Sequence, residues 1–283
     1  MTAVQPTVAE TPSGKDAAYE NFPVGSWLLP AKLRPHVAVF YAYARAIDDI
    51  ADNPDLPAEE KILRLDGFER ALLGREPEDP AFFKAQAMRE SLAETDVAPR
   101  HCLDLIAAFK QDAIKLRYAD WDDLIGYCML SAAPVGRYLV DLHGGSAHGY
   151  GPSDALCNAL QVINHLQDCQ DDYRSLNRVY LPLDWMAEEG ATVEDLDRSI
   201  TGAPLRMVID RTLDGVEALL ETAAALPTGL TSRRLAMESA AILEIARMLT
   251  YRLRHRDPLA ERIELSKSEY LWCCMRGAAS SLL

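Results

Sequence analysis

The chain has 283 residues, and 49% of them are apolar, so it is long enough to bury one large hydrophobic core or two ordinary ones. Its 43 acidic residues outnumber its 29 basic residues and give a formal charge of −14. This balance argues against nucleic acid as a partner, because binding a polyanion requires clustered Lys and Arg. An acidic protein that binds an anionic ligand needs a cation between the two.

Cysteine spacing and hydropathy indicate the compartment. The six cysteines show no C-x-x-C spacing and no secretory signal accompanies them, so they are predicted to be reduced. No apolar stretch approaches the roughly 18 residues that span a bilayer. We therefore expect a cytoplasmic protein that is at most peripheral to a membrane.

In chain order, segment 1–20 is polar and is predicted to be a flexible tail, whereas residues 21–283 are predicted to form one all-α domain. Apolar residues recur at helical spacing, while the strict alternation typical of strands is scarce. The Gly-rich stretch 143–152 is predicted to be a turn between helices. The predicted helices cover 31–51, 57–73, 80–95, 98–117, 120–143, 153–174, 203–225, 229–255 and 266–279.

The stretch "YARAIDDIAD" (43–52) carries three aspartates, Asp48, Asp49 and Asp52, in an otherwise apolar helical run. Residues four apart share a helix face, so Asp48 and Asp52 repel each other by roughly 0.2–0.5 kcal/mol. One acidic pair of this kind is common on a solvated helix face and indicates little by itself.

The stretch "LQVINHLQDCQDDYRSLNRVYLP" (160–182) supplies a second, more particular pattern. Gln161, Asn164, Asp168 and Asp172 are spaced to form one oxygen-bearing stripe along a largely buried helix. Buried carboxylates are costly unless they are paired or bind a metal. Two such rows facing each other across a helical bundle would form a cage of hard oxygen ligands, which Mg²⁺ prefers together with water and substrate phosphates. We therefore predict Mg²⁺ as the cofactor and a diphosphate as the anion that it binds.

The pair "RAIDDIAD" and "NHLQDCQDDYRSLNRVYLP" resembles the two aspartate-rich motifs of the squalene and phytoene synthase family. The resemblance covers most of the chain, because 21–55 and "YCMLSAAPVGRYLVDLHG" (127–144) also fall in that family's order. It implies a single-domain, all-α helical bundle of the isoprenoid synthase type with a central cavity. It also implies Mg²⁺-dependent chemistry on a prenyl diphosphate substrate.

Carried over position by position, the resemblance implies metal ligands, catalytic residues and substrate-binding residues. The metal ligands would be Asp48, Asp49, Asp52, Asn164, Asp168 and Asp172, and the catalytic residues would be Asp48, Asp52, Asp168 and Asp172. The residues that bind substrate would be Phe22, Tyr41, Arg45, Tyr127, Val135, Leu160, Gln161, Arg178, Tyr180 and Arg262. Among the substrate-binding residues, the positions near the diphosphate are Arg45, Arg178, Tyr180 and Arg262, and the positions that line the prenyl cavity are Phe22, Tyr41, Tyr127, Val135 and Leu160.

The sequence departs from the family pattern at two places that concern the phosphate contacts. Gln167 replaces the arginine common in the second motif, and no tyrosine lies near Ala241 and Ile242, where some relatives have one. His165, beside Asn164, is interpreted as a packed core residue, because Mg²⁺ prefers oxygen ligands.

Three functions remain open at this point. The segments "ENFPVGSWLLP" and "SAAPVGR" most resemble the hopanoid-pathway branch of the family, in which the carbocation formed from presqualene diphosphate is captured by water. A synthase that joins two farnesyl diphosphates is the alternative within the family, and a non-catalytic assembly factor of the same fold is the alternative of another class. An oily substrate and product imply transient contact with a membrane surface, and the pathway implies functional coupling to other hopanoid-pathway enzymes.

Overall fold

A computed structural model describes residues 9–10, 29–75, 77 and 79–280 of the chain. The chain divides into two compact units, an N-terminal unit (Met1–Ile114) and a C-terminal unit (Lys115–Leu283). Nearly all regular structure in the described residues is helical, which confirms the predicted all-α class. Within the same residues, none of the helices combines the length and the apolar composition that crossing a bilayer requires.

The N-terminal unit is built from α1 (Arg34–Asp52), α2 (Ala58–Leu72), α3 (Phe83–Thr95) and α4 (Arg100–Asp112). α1 begins next to Pro35, whose fixed φ suits a first helical turn, and it ends where Asn53 becomes extended ahead of Pro54. The buried face of α1 includes Tyr43, whose hydroxyl donates a hydrogen bond of 3.2 Å to the Cys102 carbonyl on α4. The acidic turn of the sequence is therefore the C-terminal end of a helix fixed against its neighbours.

The segment predicted as a flexible tail, 1–20, is described only at Ala9 and Glu10; the rest lies outside the described residues. Arg64 on α2 donates to the Ala9 carbonyl at 3.3 Å, and Lys84 on α3 lies 2.5 Å from the Glu10 carboxylate. These two residues are therefore packed on the N-terminal unit.

The C-terminal unit has α7 (Tyr150–Gln167) packed against several neighbouring helices. A short parallel pair of strands, β1 (Arg117–Tyr118) and β2 (Val179–Pro182), lies in the same unit. Its other helices are α5 (Trp121–Ser131), α6 (Ala133–Leu142), α8 (Cys169–Leu176), α9 (Leu183–Glu189), α10 (Ala203–Ala223), α11 (Leu226–Gly229), α12 (Arg233–His255) and α13 (Lys267–Ser280).

Three predicted helix boundaries were wrong, for identifiable reasons. The predicted helix 120–143 breaks at Ala132, because Pro134 lacks an N–H and disfavours helical geometry before it. The predicted helix 98–117 ends at Asp112, since the residues that follow lead into β1. The predicted helix 153–174 breaks at Asp168, where α7 gives way to α8.

Glu238 is a buried carboxyl group at the contact between α12 and α13. Its side chain is 5% exposed, and one carboxyl oxygen has no hydrogen-bond partner among the described residues. Tyr270 and Cys274 on α13 are close enough for Glu238 to raise their pKa values, although burial is the larger cause for both. Burial raises the pKa of Glu238 itself to about 7.

Candidate active site

The first acidic cluster lies in the last turn of α1. Arg45 donates a hydrogen bond of 2.7 Å to the Asp48 carboxylate, and the same nitrogen lies 4.0 Å from Asp49. Asp49 is buried, while Asp48 and Asp52 are partly exposed. The shorter contact of Arg45 is therefore with Asp48, three residues later, and not with Asp49, four residues later. The Arg45 guanidinium therefore lies beside the carboxylates that the family resemblance assigns to metal.

Electrostatic strain in this cluster falls on Asp48. Although part of the Asp48 side chain is exposed, desolvation is the main cause that raises the pKa of its carboxyl group well above the usual range, and the Asp52 carboxylate is the next. Arg45 acts in the opposite direction, while Asp49 and Asp112 raise the pKa further. Asp112, the last residue of α4, was not predicted from the sequence. Charge is thus concentrated where a divalent cation would be stabilised.

Lys61 on α2 offsets part of the unfavourable charge at this helix end. Carboxylates at a helix C-terminus oppose the macrodipole, whose negative end lies there. The buried Lys61 ammonium donates a hydrogen bond of 2.8 Å to the carbonyl of Ala51, inside the acidic turn. A positive charge therefore lies where the dipole and the aspartates both favour one.

The second acidic segment crosses the junction between α7 and α8. Asp168 occupies the bridge region of backbone space (φ −104°, ψ 9°), so the predicted continuous stripe is bent there. The backbone N–H of Asp168 still donates to the Asn164 backbone carbonyl at 2.9 Å, and the backbone N–H of Asp172 donates to the Asp168 backbone carbonyl at 2.8 Å. The turn-by-turn spacing of the three oxygen-bearing side chains is therefore kept across the bend.

Two glutamines hold this bend in place. The Gln167 amide donates to the Ile263 carbonyl, and the Gln170 amide donates to the carbonyls of Leu196 at 2.9 Å and Arg198 at 2.7 Å. Gln167 is the residue that replaces the family's arginine, and here it binds backbone next to Arg262. Gln167 therefore makes a structural contact within the C-terminal unit at the position where relatives have the arginine.

An aromatic cluster lies beside the second acidic segment. Tyr118 on β1 stacks on Tyr180 of β2 with ring centroids 5.5 Å apart, and Tyr127 of α5 lies 5.3 Å from Tyr118 and 5.7 Å from Tyr180. His165 of α7 also stacks on Tyr180, with ring centroids 3.6 Å apart and an angle of 10° between the ring planes. All four rings are buried. The pairing of β1 with β2 thus brings two predicted substrate residues, Tyr127 and Tyr180, together with two residues that were not predicted.

His165 is a neutral imidazole in this cluster. Burial, with a smaller contribution from Arg178, lowers the pKa of His165 to about 3. Its Nε2 lies 3.3 Å from the amide nitrogen of Gln161, one turn earlier on α7. The interpretation of His165 as a packed, hydrogen-bonded residue is confirmed, and its aromatic partners are new.

The predicted basic residues have different surroundings. Arg178 is buried at the start of the segment leading into β2. Arg262 is exposed and lies 3.5 Å from Glu264. Arg174, four residues before Arg178, donates a hydrogen bond of 2.6 Å to the Asp197 carboxylate. The diphosphate role of Arg178 and Arg262 stays a prediction.

The remaining predicted substrate residues are distributed over both units. Tyr41 lies on α1, half-buried, with the Arg45 guanidinium 5.9 Å from its ring centroid. Leu160 is buried on α7, and Val135 is partly exposed on α6. Phe22 lies outside the described residues. The lining of one cavity by these side chains, and the joining of the two acidic rows in one cage, stay predictions.

The donor set fits Mg²⁺. Among the residues that the structure describes, no group of three or more His, Cys, Asp or Glu is arranged to hold a metal ion by itself. Mg²⁺ usually takes only one or two carboxylates and completes its shell with waters and substrate phosphates. Carboxylate oxygens on both segments and the Asn164 amide oxygen are ligands of that kind, and the raised pKa of Asp48 reflects charge that a divalent cation would stabilise.

Solved structures define the class of fold. The chain is similar to the crystal structure of squalene synthase HpnC from Alicyclobacillus acidocaldarius, with 32% identity, a TM-score of 0.73, and coverage of 84% of this chain and 89% of the other. It also superimposes on a dehydrosqualene synthase in complex with ligand, with 22% identity, a TM-score of 0.76, and coverage of 93% and 91%. The fold is that of the squalene synthase type of all-α isoprenoid synthase.

Sequence comparison identifies the family. Residues 16–269 match the squalene/phytoene synthase family. A hydroxysqualene synthase of Rhodopseudomonas palustris is 42% identical over 97% of this chain and 93% of its own length, and one of Zymomonas mobilis is 40% identical over 95% and 91%. A 15-cis-phytoene synthase of Enterobacter agglomerans is 30% identical over 76% and 75%. The chain belongs to the squalene/phytoene synthase family, and it is an enzyme of the kind that family contains.

Proposed function

We propose that this enzyme ionises presqualene diphosphate and captures the resulting carbocation with water, giving hydroxysqualene for hopanoid biosynthesis. The observation that carries the proposal is the similarity, over nearly the full chain, to proteins named hydroxysqualene synthase. The reaction breaks a carbon–oxygen bond to a diphosphate, so we assign it to the carbon–oxygen lyases. The proposal implies functional coupling to a pathway enzyme that supplies presqualene diphosphate and to one that consumes the alcohol.

The acidic residues are proposed to hold Mg²⁺. Asp48, Asp52 and the helper Asp49 would supply oxygen ligands from α1, and Asn164, Asp168 and Asp172 would supply them from the α7–α8 junction. When bound, Mg²⁺ supplies Lewis-acid stabilisation of the charge that develops on the leaving diphosphate. Arg45, Arg178, Tyr180 and Arg262 are proposed to bind diphosphate oxygens, where guanidinium groups form charge-assisted hydrogen bonds.

Apolar and aromatic side chains are proposed to bind the hydrocarbon part of the substrate. Phe22, Tyr41, Tyr127, Val135 and Leu160 are assigned to this role by the family resemblance. In the C-terminal unit, Tyr127 belongs to a dense aromatic cluster, which is the environment that a carbocation needs. Ring faces attract a cation and exclude stray water.

Incubation with defined substrates tests the proposal. The purified protein with presqualene diphosphate and Mg²⁺, and without NADPH, should yield hydroxysqualene. Recovery of unchanged substrate would remove the assignment. A second candidate, a squalene synthase that joins two farnesyl diphosphates, is favoured by the name of the 32% identical crystal structure. Incubation with farnesyl diphosphate alone distinguishes it, because only that activity consumes this substrate.

We also propose transient contact with a membrane surface through α13. Leu271, Trp272 and Met275 on this helix are 58%, 56% and 53% exposed, and a tryptophan beside aliphatic side chains suits the bilayer interface. The oily alcohol product has to pass from the enzyme into lipid, and an apolar surface in contact with the bilayer would shorten its path through water.

Flotation with phosphatidylcholine vesicles checks this contact. Replacing Leu271, Trp272 and Met275 together by serine should weaken vesicle binding at least about tenfold, because apolar area is lost. A matched control is the double variant Ile200→Ser and Met207→Ser, which removes side chains that are 64% and 54% exposed elsewhere in the C-terminal unit. Equal flotation of both variants and the wild type would contradict the proposal.

A further inference from the structure

The proposed reaction needs a polar group that admits one water to one carbon of the cation. Surroundings that protect a carbocation are apolar, so a water entering them needs a fixed hydrogen-bond partner. None of the roles assigned above supplies such a group. The following inference rests on the proposed function and concerns its last step.

Gln161 and His165 form a polar pair within the aromatic cluster. They lie one turn apart on α7, and the Gln161 amide nitrogen is 3.3 Å from His165 Nε2. An amide nitrogen can only donate, so Nε2 accepts and the ring proton is on Nδ1. In this contact the carboxamide has its nitrogen towards the imidazole. The Gln161 oxygen is thereby directed away from His165 and remains able to accept a hydrogen bond.

His165 is held more firmly than an ordinary buried histidine. Its ring is 8% exposed, lies parallel to Tyr180 at 3.6 Å, and has Tyr127 at 6.1 Å. Packing on both tyrosines restricts rotation of the imidazole, and the imidazole in turn restricts the amide. This is the arrangement by which one residue orients another at a reacting centre.

Position along α7 relates this pair to the proposed chemistry. Gln161 precedes Asn164 by one turn and Asp168 by two turns, on the same side of the helix. The carboxamide therefore lies one turn before the proposed metal ligands on α7, next to His165 of the aromatic cluster. Under the proposed function those ligands hold the diphosphate, so a group one turn away is suited to meet water near the carbon that the diphosphate leaves.

We propose that His165 is a positioning residue that fixes the Gln161 carboxamide, whose oxygen accepts a hydrogen bond from the water that captures the carbocation. A lone pair of that water forms the new carbon–oxygen bond. The oxonium that results loses a proton to the released diphosphate, which leaves a neutral alcohol. The pair thus determines the product, because a cation without a placed water instead rearranges or loses a proton from carbon.

Product analysis of variants tests the proposal. His165→Phe keeps a ring to stack on Tyr180 but removes the Nε2 acceptor, and Gln161→Leu removes the carboxamide. In each variant, the fraction of product that is hydroxysqualene should fall about fivefold or more, which corresponds to the loss of one hydrogen bond. The double variant should be no worse than the singles, because the two residues act as one unit.

Two further variants separate positioning from general damage. His165→Gln places an amide oxygen near the position of Nε2 and should restore part of the hydroxysqualene fraction. His143→Phe changes a histidine whose Nδ1 lies 2.8 Å from the Leu139 carbonyl one turn earlier in the chain, and it should leave the product fraction unchanged. A purely structural role would lower total turnover and leave the fraction of each product as in the wild type.

The outcomes are distinguishable. A wild type that makes hydroxysqualene, together with His165→Phe and Gln161→Leu variants that make it in the same fraction, overturns the positioning role alone. A wild type that makes no hydroxysqualene from presqualene diphosphate overturns the proposed function and the positioning role together. Because Gln161 is only partly buried, its variant remains informative if His165→Phe does not fold.

Discussion

Replacing Asp48 or Asp168 by alanine is expected to reduce turnover of presqualene diphosphate by about a thousandfold or more, which is about 4 kcal/mol of barrier. Each substitution removes an oxygen ligand for Mg²⁺, and the leaving diphosphate then loses its counter-charge. The measurement is single-turnover conversion at saturating Mg²⁺, with circular dichroism and melting temperature recorded on the same variants without Mg²⁺.

The Asp48→Ala variant should lose activity without losing thermal stability. The pKa of Asp48 is raised well above its usual range in the folded protein, mainly by burial and then by Asp52. A carboxyl group with a raised pKa is destabilising once it is ionised, so its removal should leave the melting temperature at neutral pH unchanged or higher. Loss of activity with a retained or raised melting temperature would indicate a metal ligand rather than a core residue.

Exposed aspartates next to the two motifs provide matched controls. The controls are Asp55→Ala and Asp171→Ala. Asp55 lies three residues after Asp52, Asp171 lies beside Asp172, and both side chains are exposed. Neither variant should change turnover by more than about twofold, since surface substitutions rarely exceed 0.5 kcal/mol. Wild-type turnover in Asp48→Ala or Asp168→Ala would count against the proposed magnesium ligands.

Glu238→Gln is expected to stabilise the protein at alkaline pH and to have little effect in acid. Burial raises the pKa of Glu238 from 4.5 to about 7, so the folded state binds the proton more tightly than the unfolded chain. The stability associated with the protonated group is fully present below about pH 4.5 and is lost as the pH rises through about 7. Glutamine remains neutral throughout, so the variant should gain at most about 3 kcal/mol at pH 8.

Thermal melts of both proteins between about pH 4.5 and pH 8 check this expectation. The difference in melting temperature should grow with pH and then level off above about pH 7. Glu244→Gln is the control on the same helix, because Glu244 is already paired with Arg247 at 2.7 Å and with Arg276 at 2.9 Å. A melting-temperature difference that stays constant across the pH range would mean that the pKa of Glu238 is the same in the folded and the unfolded state, which would contradict the prediction.

Much of the fold followed from apolar spacing and from Pro and Gly. The end of α1 at Asp52 was predicted within one residue, since Pro54 stops the helix. α10 and α12 were also close to their predicted ranges, because both helices are long and amphipathic. Periodicity over such lengths outweighs the local preferences of single residues.

Other features depend on contacts between distant segments and have no local signal. The pairing of β1 with β2 joins Arg117–Tyr118 to a segment about 60 residues later, and strands of two and four residues are too short to show a detectable alternation. Tyr118 and His165 join the aromatic cluster only through that pairing and through packing of α7. Asp112 likewise acts on Asp48 from another helix, and its sequence context is that of any helix-terminal aspartate.

The hydrogen bond from Lys61 to the Ala51 carbonyl affects how the enzyme would respond to metal depletion. Because the chain carries its own cation at the end of α1, the aspartates remain in helical geometry before any ion arrives. Chelation should then inactivate the enzyme without loosening this helix. Recovery on readdition of magnesium would be limited by ion diffusion and substrate binding, not by refolding.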